Sequence, residues 1–182
     1  MDEDKLYIEL FLAGDKKAFE ILVRKYQDRG LNIVYSLIGK DRESEDILQE
    51  VFLKVYRSLG SFKHRSQFST WFYRIIVNTC YDFLRRRKGI INDTRFLEES
   101  VSPVESAKEA LMKLENDALI QKAINGIPLR YRSAMVLKDI EGLSYIEISK
   151  VLGCSIGTVE SKIYRARKFL KNGLLEFEKD SI

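Results

Sequence analysis

Three groups of side chains have types and spacings that could do chemistry. Asp46 and Glu50 stand four residues apart, which places two carboxylates on one helical face where they could hold a divalent cation for hydrolysis. Between Lys54 and Lys88 there are nine basic residues and one acid, interleaved with Phe62, Phe68, Trp71, Phe72, Tyr73 and Tyr81. Cations that neutralise phosphate beside aromatic faces that accept unstacked bases are what single-stranded nucleic acid requires. Thr158, Glu160, Ser161, Lys162, Tyr164 and Arg165 crowd hydrogen-bonding and basic groups into one stretch, followed by Arg167, Lys168 and Lys171. Such a stretch suits base edges and phosphates of a duplex. Other chemistries lack their residues. His64 is the single histidine, Cys80 and Cys154 are far apart without CxxC or Cys/His spacing, and there is no P-loop or nucleotide-binding glycine pattern. No further carboxylate, histidine or lysine constellation converges on Asp46 and Glu50, so the chain reads as a binding protein and not an enzyme, with no metal or cofactor.

These groups need helices to position them. The 182 residues, 45% hydrophobic and 32% charged, allow one ordinary domain or two small ones with a buried core. Both prolines, Pro103 and Pro128, fall in the second half, so the first hundred residues carry none of the frequent breaks of an all-β fold. Leu6, Leu10 and Phe11, then Phe19, Leu22, Val23 and Tyr26, recur at helical spacing, and the second helix continues across Gly30. Ile47, Leu48, Val51, Phe52, Val55 and Leu59 form a single stripe that starts near Gly39, Asp41 or Ser44 and ends at Gly60. A helix from Ser69 or Thr70 to Lys88 turns Phe72, Ile75, Ile76, Thr79 and Phe83 inward and places Arg74, Asn78, Asp82, Arg85 and Arg86 on a neighbouring polar face. From periodicity alone, Trp71 is open between core and surface. The acidic, poorly periodic stretch 89–107 reads as a flexible linker, and helical spacing resumes from Ala107 to Ile124.

Pro128 opens a helix that Gly142 stops. Ser144 with Glu147 forms a capping box, Ile146, Ile148, Val151 and Leu152 supply apolar positions, and Gly153 terminates. After Cys154 and Ser155, Val159, Ile163, Ala166 and Leu170 share one face of a further helix whose outer face is basic. Short helix, glycine turn and basic second helix form the helix-turn-helix pattern, in which the second helix enters the major groove.

A formal charge of +4 is mild, yet it divides into +4 over residues 1–90, −4 over 91–118 and +4 over 119–182. Two basic modules flank an acidic stretch. No apolar run approaches the ~18 residues of a membrane span, and MDEDKLYIEL opens acidic where a signal peptide would be basic. A cytoplasmic protein without membrane insertion is expected.

Taken in order, DRESEDILQEVFLKVYRSL, FSTWFYRIIVNTCYDFLRRRK and IPLRYRSAMVLKDIEGLSYIEISKVLGCSIGTVESKIYRARKFL resemble the extracytoplasmic-function (ECF) group of bacterial RNA polymerase sigma factors. The resemblance covers nearly the whole chain. It implies an all-α initiation factor of two small helical domains: region 2 over residues 1–88, a linker over 89–107, and region 4 with its helix-turn-helix over 108–182. It also implies RNA polymerase core as partner, through the beta-prime clamp helices and the beta subunit, with promoter DNA as duplex and single strand, and it admits an anti-sigma factor.

Carried onto this sequence, the core-docking face is Asp46, Gln49, Glu50, Leu53, Lys54 and Arg57. The minus-ten element would meet Ser61, Phe62, Lys63, Phe68, Trp71 and Asn78, with Arg74, Arg85 and Arg86 tracking phosphates. Capturing a flipped base there must offset a few kcal/mol of unstacking. The minus-thirty-five duplex would meet Ser155, Thr158, Glu160, Ser161, Lys162, Tyr164, Arg165 and Lys168. Glu160 departs from the Lys or Arg common in the family; a glutamate accepts from a cytosine amino group instead of clamping guanine. The rival reading, a stand-alone helix-turn-helix regulator, accounts for residues 128–171 but leaves the acid-faced helix at 44–59 and the basic, aromatic block without a role.

Overall fold

Asp4 begins the fold by tying two helices together, and Asp15 starts the second of them. The structure is a computed structural model that describes residues 3–39, 42–93 and 120–180. Helix α1 (Glu3–Leu12) buries Asp4, whose carboxylate accepts from Lys25 Nζ at 2.7 Å and Tyr26 OH at 2.5 Å on α2 (Lys16–Ile38). Asp15 caps α2 by accepting from Lys17 N at 2.9 Å. As expected, α2 passes through Gly30 unbroken. A Cβ at Gly30 would lie 2.8 Å from Leu48 Cδ1 and 3.2 Å from Phe72 Cζ, so the missing side chain lets three helices pack closely, which compensates its poor helix propensity.

Helix α3 (Arg42–Ser58) starts where Ser44 Oγ donates to Gly39 O at 2.6 Å. Its stripe is inside: Ile47, Leu48, Val51 and Val55 are buried, with Leu59 in the 3-10 turn Leu59–Ser61. Helix α4 (Phe68–Asp93) buries Phe72, Ile76 and Thr79, as its spacing predicts. It runs beyond residue 88, so 89–93 are helical and not linker. A glycine at 89 costs a helix only ~1 kcal/mol relative to alanine. The rest of the expected linker, 94–107, and the start of the next helix lie outside the described residues.

The second module comprises α5 (120–126 as described), α6 (Leu129–Met135), α7 (Tyr145–Leu152) and α8 (Ile156–Asp180). Pro128, the predicted first residue, sits at the N-cap of α6, so the helix begins one position later at Leu129. The helix expected to continue regularly toward Gly142 instead widens into a π turn at Val136–Ile140, with Glu141 N bonded to Val136 O at 3.1 Å. Residues 132 to 137 are all buried in succession, so neighbours cover this stretch on more than one side.

The capping box is present on both sides. Glu147 N donates to Ser144 Oγ at 3.3 Å, and Ser144 N to Glu147 Oε2 at 2.8 Å. Gly153 closes α7 in the left-handed conformation, φ +62°. Hydrogen bonds from the Ser144 hydroxyl and amide hold the Glu147 carboxyl below its usual range. That contribution is present above the unfolded-state pKa and disappears as pH falls through the lowered folded one. Ser144→Ala is expected to cost ~1 kcal/mol at neutral pH; an unchanged chemical-denaturation midpoint would contradict the cap.

The two modules share a core. Ile33, Val34, Leu37, Phe72, Tyr73, Ile76, Val77 and Cys80 of the first belong to the same buried cluster as Val136, Leu137, Leu143, Ile148, Val151, Val159 and Ile163 of the second. Burial pushes the Cys80 thiol up to about 12, so it packs as a small apolar residue.

Candidate nucleic-acid interfaces

The N-terminal turns of α8 present the first interface. Val159, Ile163 and Ala166 face the core, which leaves Thr158, Glu160, Ser161, Tyr164, Arg165 and Lys168 exposed and Lys162 half-buried. Ser155 acts as the cap: Thr158 N donates to Ser155 Oγ at 3.2 Å. Ser161 Oγ donates back to Gly157 O at 2.9 Å. A shallow cleft of about 420 Å³ runs along this surface between Ser155, Thr158, Ser161, Lys162, Arg165 and Tyr131. Tyr131 was not foreseen. It lies on α6, stacks 5.9 Å from Phe169, and its hydroxyl accepts from Arg165 Nη1 at 3.1 Å. That bond lowers the Tyr131 hydroxyl's pKa. Arg167 is turned away, donating to the Asp139 carboxylate at 2.5 and 3.2 Å, so it is engaged within the fold where a free phosphate contact was expected.

On α4, the polar face divides into two clefts. Phe62 and Phe68 are 9% and 3% exposed and belong to the core, where stacking on a base was expected of them. Trp71 resolves as a half-buried wall, its ring 5.0 Å from Phe62 and 5.8 Å from Phe68. It lines a cleft of about 390 Å³ with Ser61, Lys63, Arg65, Arg74 and Lys150. Asn78 is exposed and lines a separate cleft with Tyr81, Asp82, Arg130, Leu152 and Lys162. Arg85 pairs with Asp82 at 3.0 Å. Arg86 leaves this face altogether. Its guanidinium lies 3.7 Å from Glu50 on α3.

The outer face of α3 keeps Asp46, Gln49, Leu53 and Arg57 exposed, Leu53 at 55%. Glu50 pairs with Lys54 at 2.8 Å, and Lys54 Nζ also donates to Thr79 Oγ1 on α4 at 3.0 Å. The Lys54 hydrogen bond is the chief reason the Glu50 carboxyl is held below its usual range. Glu50 and Lys54 therefore brace α3 on α4 beneath the exposed face. With both Glu50 oxygens facing cations, Asp46 and Glu50 do not form an open carboxylate cradle. Among the described residues no helix is long and apolar enough to cross a membrane.

The Sigma-70 region 2 family matches residues 22–90, and the Sigma-70, region 4 family matches residues 117–170. The RNA polymerase sigma-H factor of Pseudomonas aeruginosa is 36% identical, covering 95% of this chain and 94% of that protein. The ECF RNA polymerase sigma factor SigW of Bacillus subtilis is 34% identical over 93% of this chain and 96% of its own. Among solved structures, the sigma factor RpoE of Bartonella quintana, crystallised with the anti-sigma factor NepR, superposes with a TM-score of 0.70 at 27% identity, covering 87% of this chain and 97% of that one.

Proposed function

We propose, since the chain belongs to the ECF RNA polymerase sigma factors, that its three surfaces divide the work of promoter recognition. As a sigma factor it binds core polymerase and directs initiation. In our reading α3 docks on the beta-prime clamp helices through Asp46, Gln49, Leu53 and Arg57. Loop 61–67 with Trp71 and Arg74 receives the non-template strand of the minus-ten element, and the exposed turns of α8 read the minus-thirty-five duplex. The first module, through residue 93, and the second, from residue 108, are the two domains. The protein catalyses no reaction itself, works in the cytoplasm, and takes an anti-sigma factor as a further partner, as the Bartonella relative does.

A single observation carries the reading: one chain presents a duplex-sized basic helix face, a separate aromatic-walled basic cleft and a polar face centred on an exposed leucine. A duplex-binding regulator would use only the first. Co-migration with purified core polymerase in gel filtration is expected, together with permanganate-reactive thymines at a promoter only when both are present. Failure to co-migrate would leave the stand-alone regulator. Within the duplex interface, Arg165→Ala is expected to weaken minus-thirty-five binding by ~1–3 kcal/mol and relax preference at one base pair. A weakening equal on all sequences would reassign Arg165 to phosphate.

A further inference from the structure

Arg165 and Arg167 stand two residues apart on α8 and are held in opposite ways. Arg167 meets the Asp139 carboxylate, which takes two of its N–H groups and offsets its charge. Arg165 meets a phenol. Its Nη1 donates to Tyr131 OH at 3.1 Å, a neutral acceptor that takes one N–H and leaves the positive charge whole.

The phenol is itself fixed. Tyr131 lies in the first turn of α6, its amide donating to Pro128 O at 2.8 Å, next to the buried Arg132. Its ring stands 5.9 Å from that of Phe169 at an interplanar angle of 20°. Phe169 follows Arg165 by four residues and therefore shares its helix face; it is 45% exposed, and its contact with Tyr131 sets the plane of the phenol. The guanidiniums of Arg130 and Arg165 lie 4.9 and 5.7 Å from the centroid of the same ring, within the range of cation–π attraction.

An exposed arginine loses rotamer freedom when it contacts a base, and a tether in the free protein removes part of that loss beforehand. The tether also selects an edge. In a planar guanidinium, a bond at Nη1 leaves Nε and Nη2 as a parallel pair of donors, the fork that fits the O6 and N7 acceptors of guanine. The adjoining cleft suits an acceptor edge, being lined by Ser155, Thr158, Ser161 and Lys162 with no acidic residue among its walls.

We propose, on the assignment of α8 to the minus-thirty-five duplex, that Tyr131 is a positioning residue for upstream recognition, tethering Arg165 so that its Nε–Nη2 edge meets the O6 and N7 of a guanine.

The test uses the full-length chain reconstituted with purified core polymerase. Fluorescent duplexes carry the upstream element selected from a randomised pool, each base pair replaced in turn, and binding is read by anisotropy. Tyr131→Phe keeps the ring on Phe169 and removes only the acceptor, so its melting temperature is expected to match wild type. Its discrimination in favour of guanine, at the base pair that Arg165→Ala also relaxes, is expected to fall about 5-fold with the other pairs unchanged. The double variant is expected to discriminate no worse than Arg165→Ala alone. A merely structural role would weaken all duplexes alike and lower the melting temperature. Wild-type discrimination by Tyr131→Phe, a uniform loss, or additive effects in the double variant would overturn the tether while the reading of α8 stands. No base preference in wild-type holoenzyme, or a preference untouched by Arg165→Ala, would overturn that reading of Arg165 and the tether with it.

Discussion

Arg132→Ala is expected to destabilise the protein by ~3–5 kcal/mol, a fall in melting temperature of roughly 10 °C for a chain of this size. Arg132 is 8% exposed and its fork meets only carbonyl oxygens. Nε and Nη2 donate to Ile127 O at 3.0 and 2.9 Å, Nη1 to Leu37 O at 2.7 Å and Asn125 Oδ1 at 3.1 Å, and Nη2 also to Asn125 O. Burial pulls its pKa down to about 10, which still leaves it charged at neutral pH. Removing it strands polar groups of α2 and of the α5–α6 turn at once, and each buried carbonyl left unpaired costs ~1–3 kcal/mol. Arg132→Lys keeps the charge but cannot span three directions with a single ammonium, so its loss should be only partly smaller. A melting curve unchanged by Arg132→Ala would mean that water replaces the guanidinium and that the clasp contributes nothing.

Leu53→Asp is expected to lower affinity for core polymerase by ~100-fold or more and to leave the melting temperature unchanged. Leu53 is 55% exposed on α3, between Gln49 and Arg57 at one helical turn on either side. Exposed as it is, it contributes little to the fold. An apolar side chain centred in a polar rim is the usual anchor of a protein interface, and a charge there must be desolvated without a partner. Glu50 and Lys54, braced against α4, should matter less than their acidic and basic types imply. Competition binding to core polymerase checks this: unaltered affinity would remove α3 from the interface, whereas lost stability would return Leu53 to the core.

Local structure was legible where one segment carries its own instructions. The α3 stripe, the Ser144–Glu147 box, the left-handed Gly153 and the buried Val159–Ile163–Ala166 row each follow from spacing within a dozen residues. What was hidden depends on partners distant in sequence. Arg86 and Arg167 looked available for phosphate, but Glu50 and Asp139 claim them from other helices. Tyr131 reaches Arg165 only because α6 packs on α8. The burial of Tyr73, Val77 and Cys80 had a signal in their i, i+4, i+7 spacing, a second apolar row on α4 beside the expected one. Two apolar rows on one helix call for two neighbours, and the second is the module that the linker reading had set apart.

Run-off transcription with purified core polymerase, on a promoter library randomised across both upstream and downstream elements, separates a two-element initiation factor from a regulator that reads duplex alone. Transcripts are expected to depend on the added chain and to select two sequence blocks, the downstream block shifting when Arg74 and Asn78 are replaced and the upstream block when Arg165 is. Transcripts that do not depend on the chain, or that select only the upstream block, would contradict a two-element initiation factor.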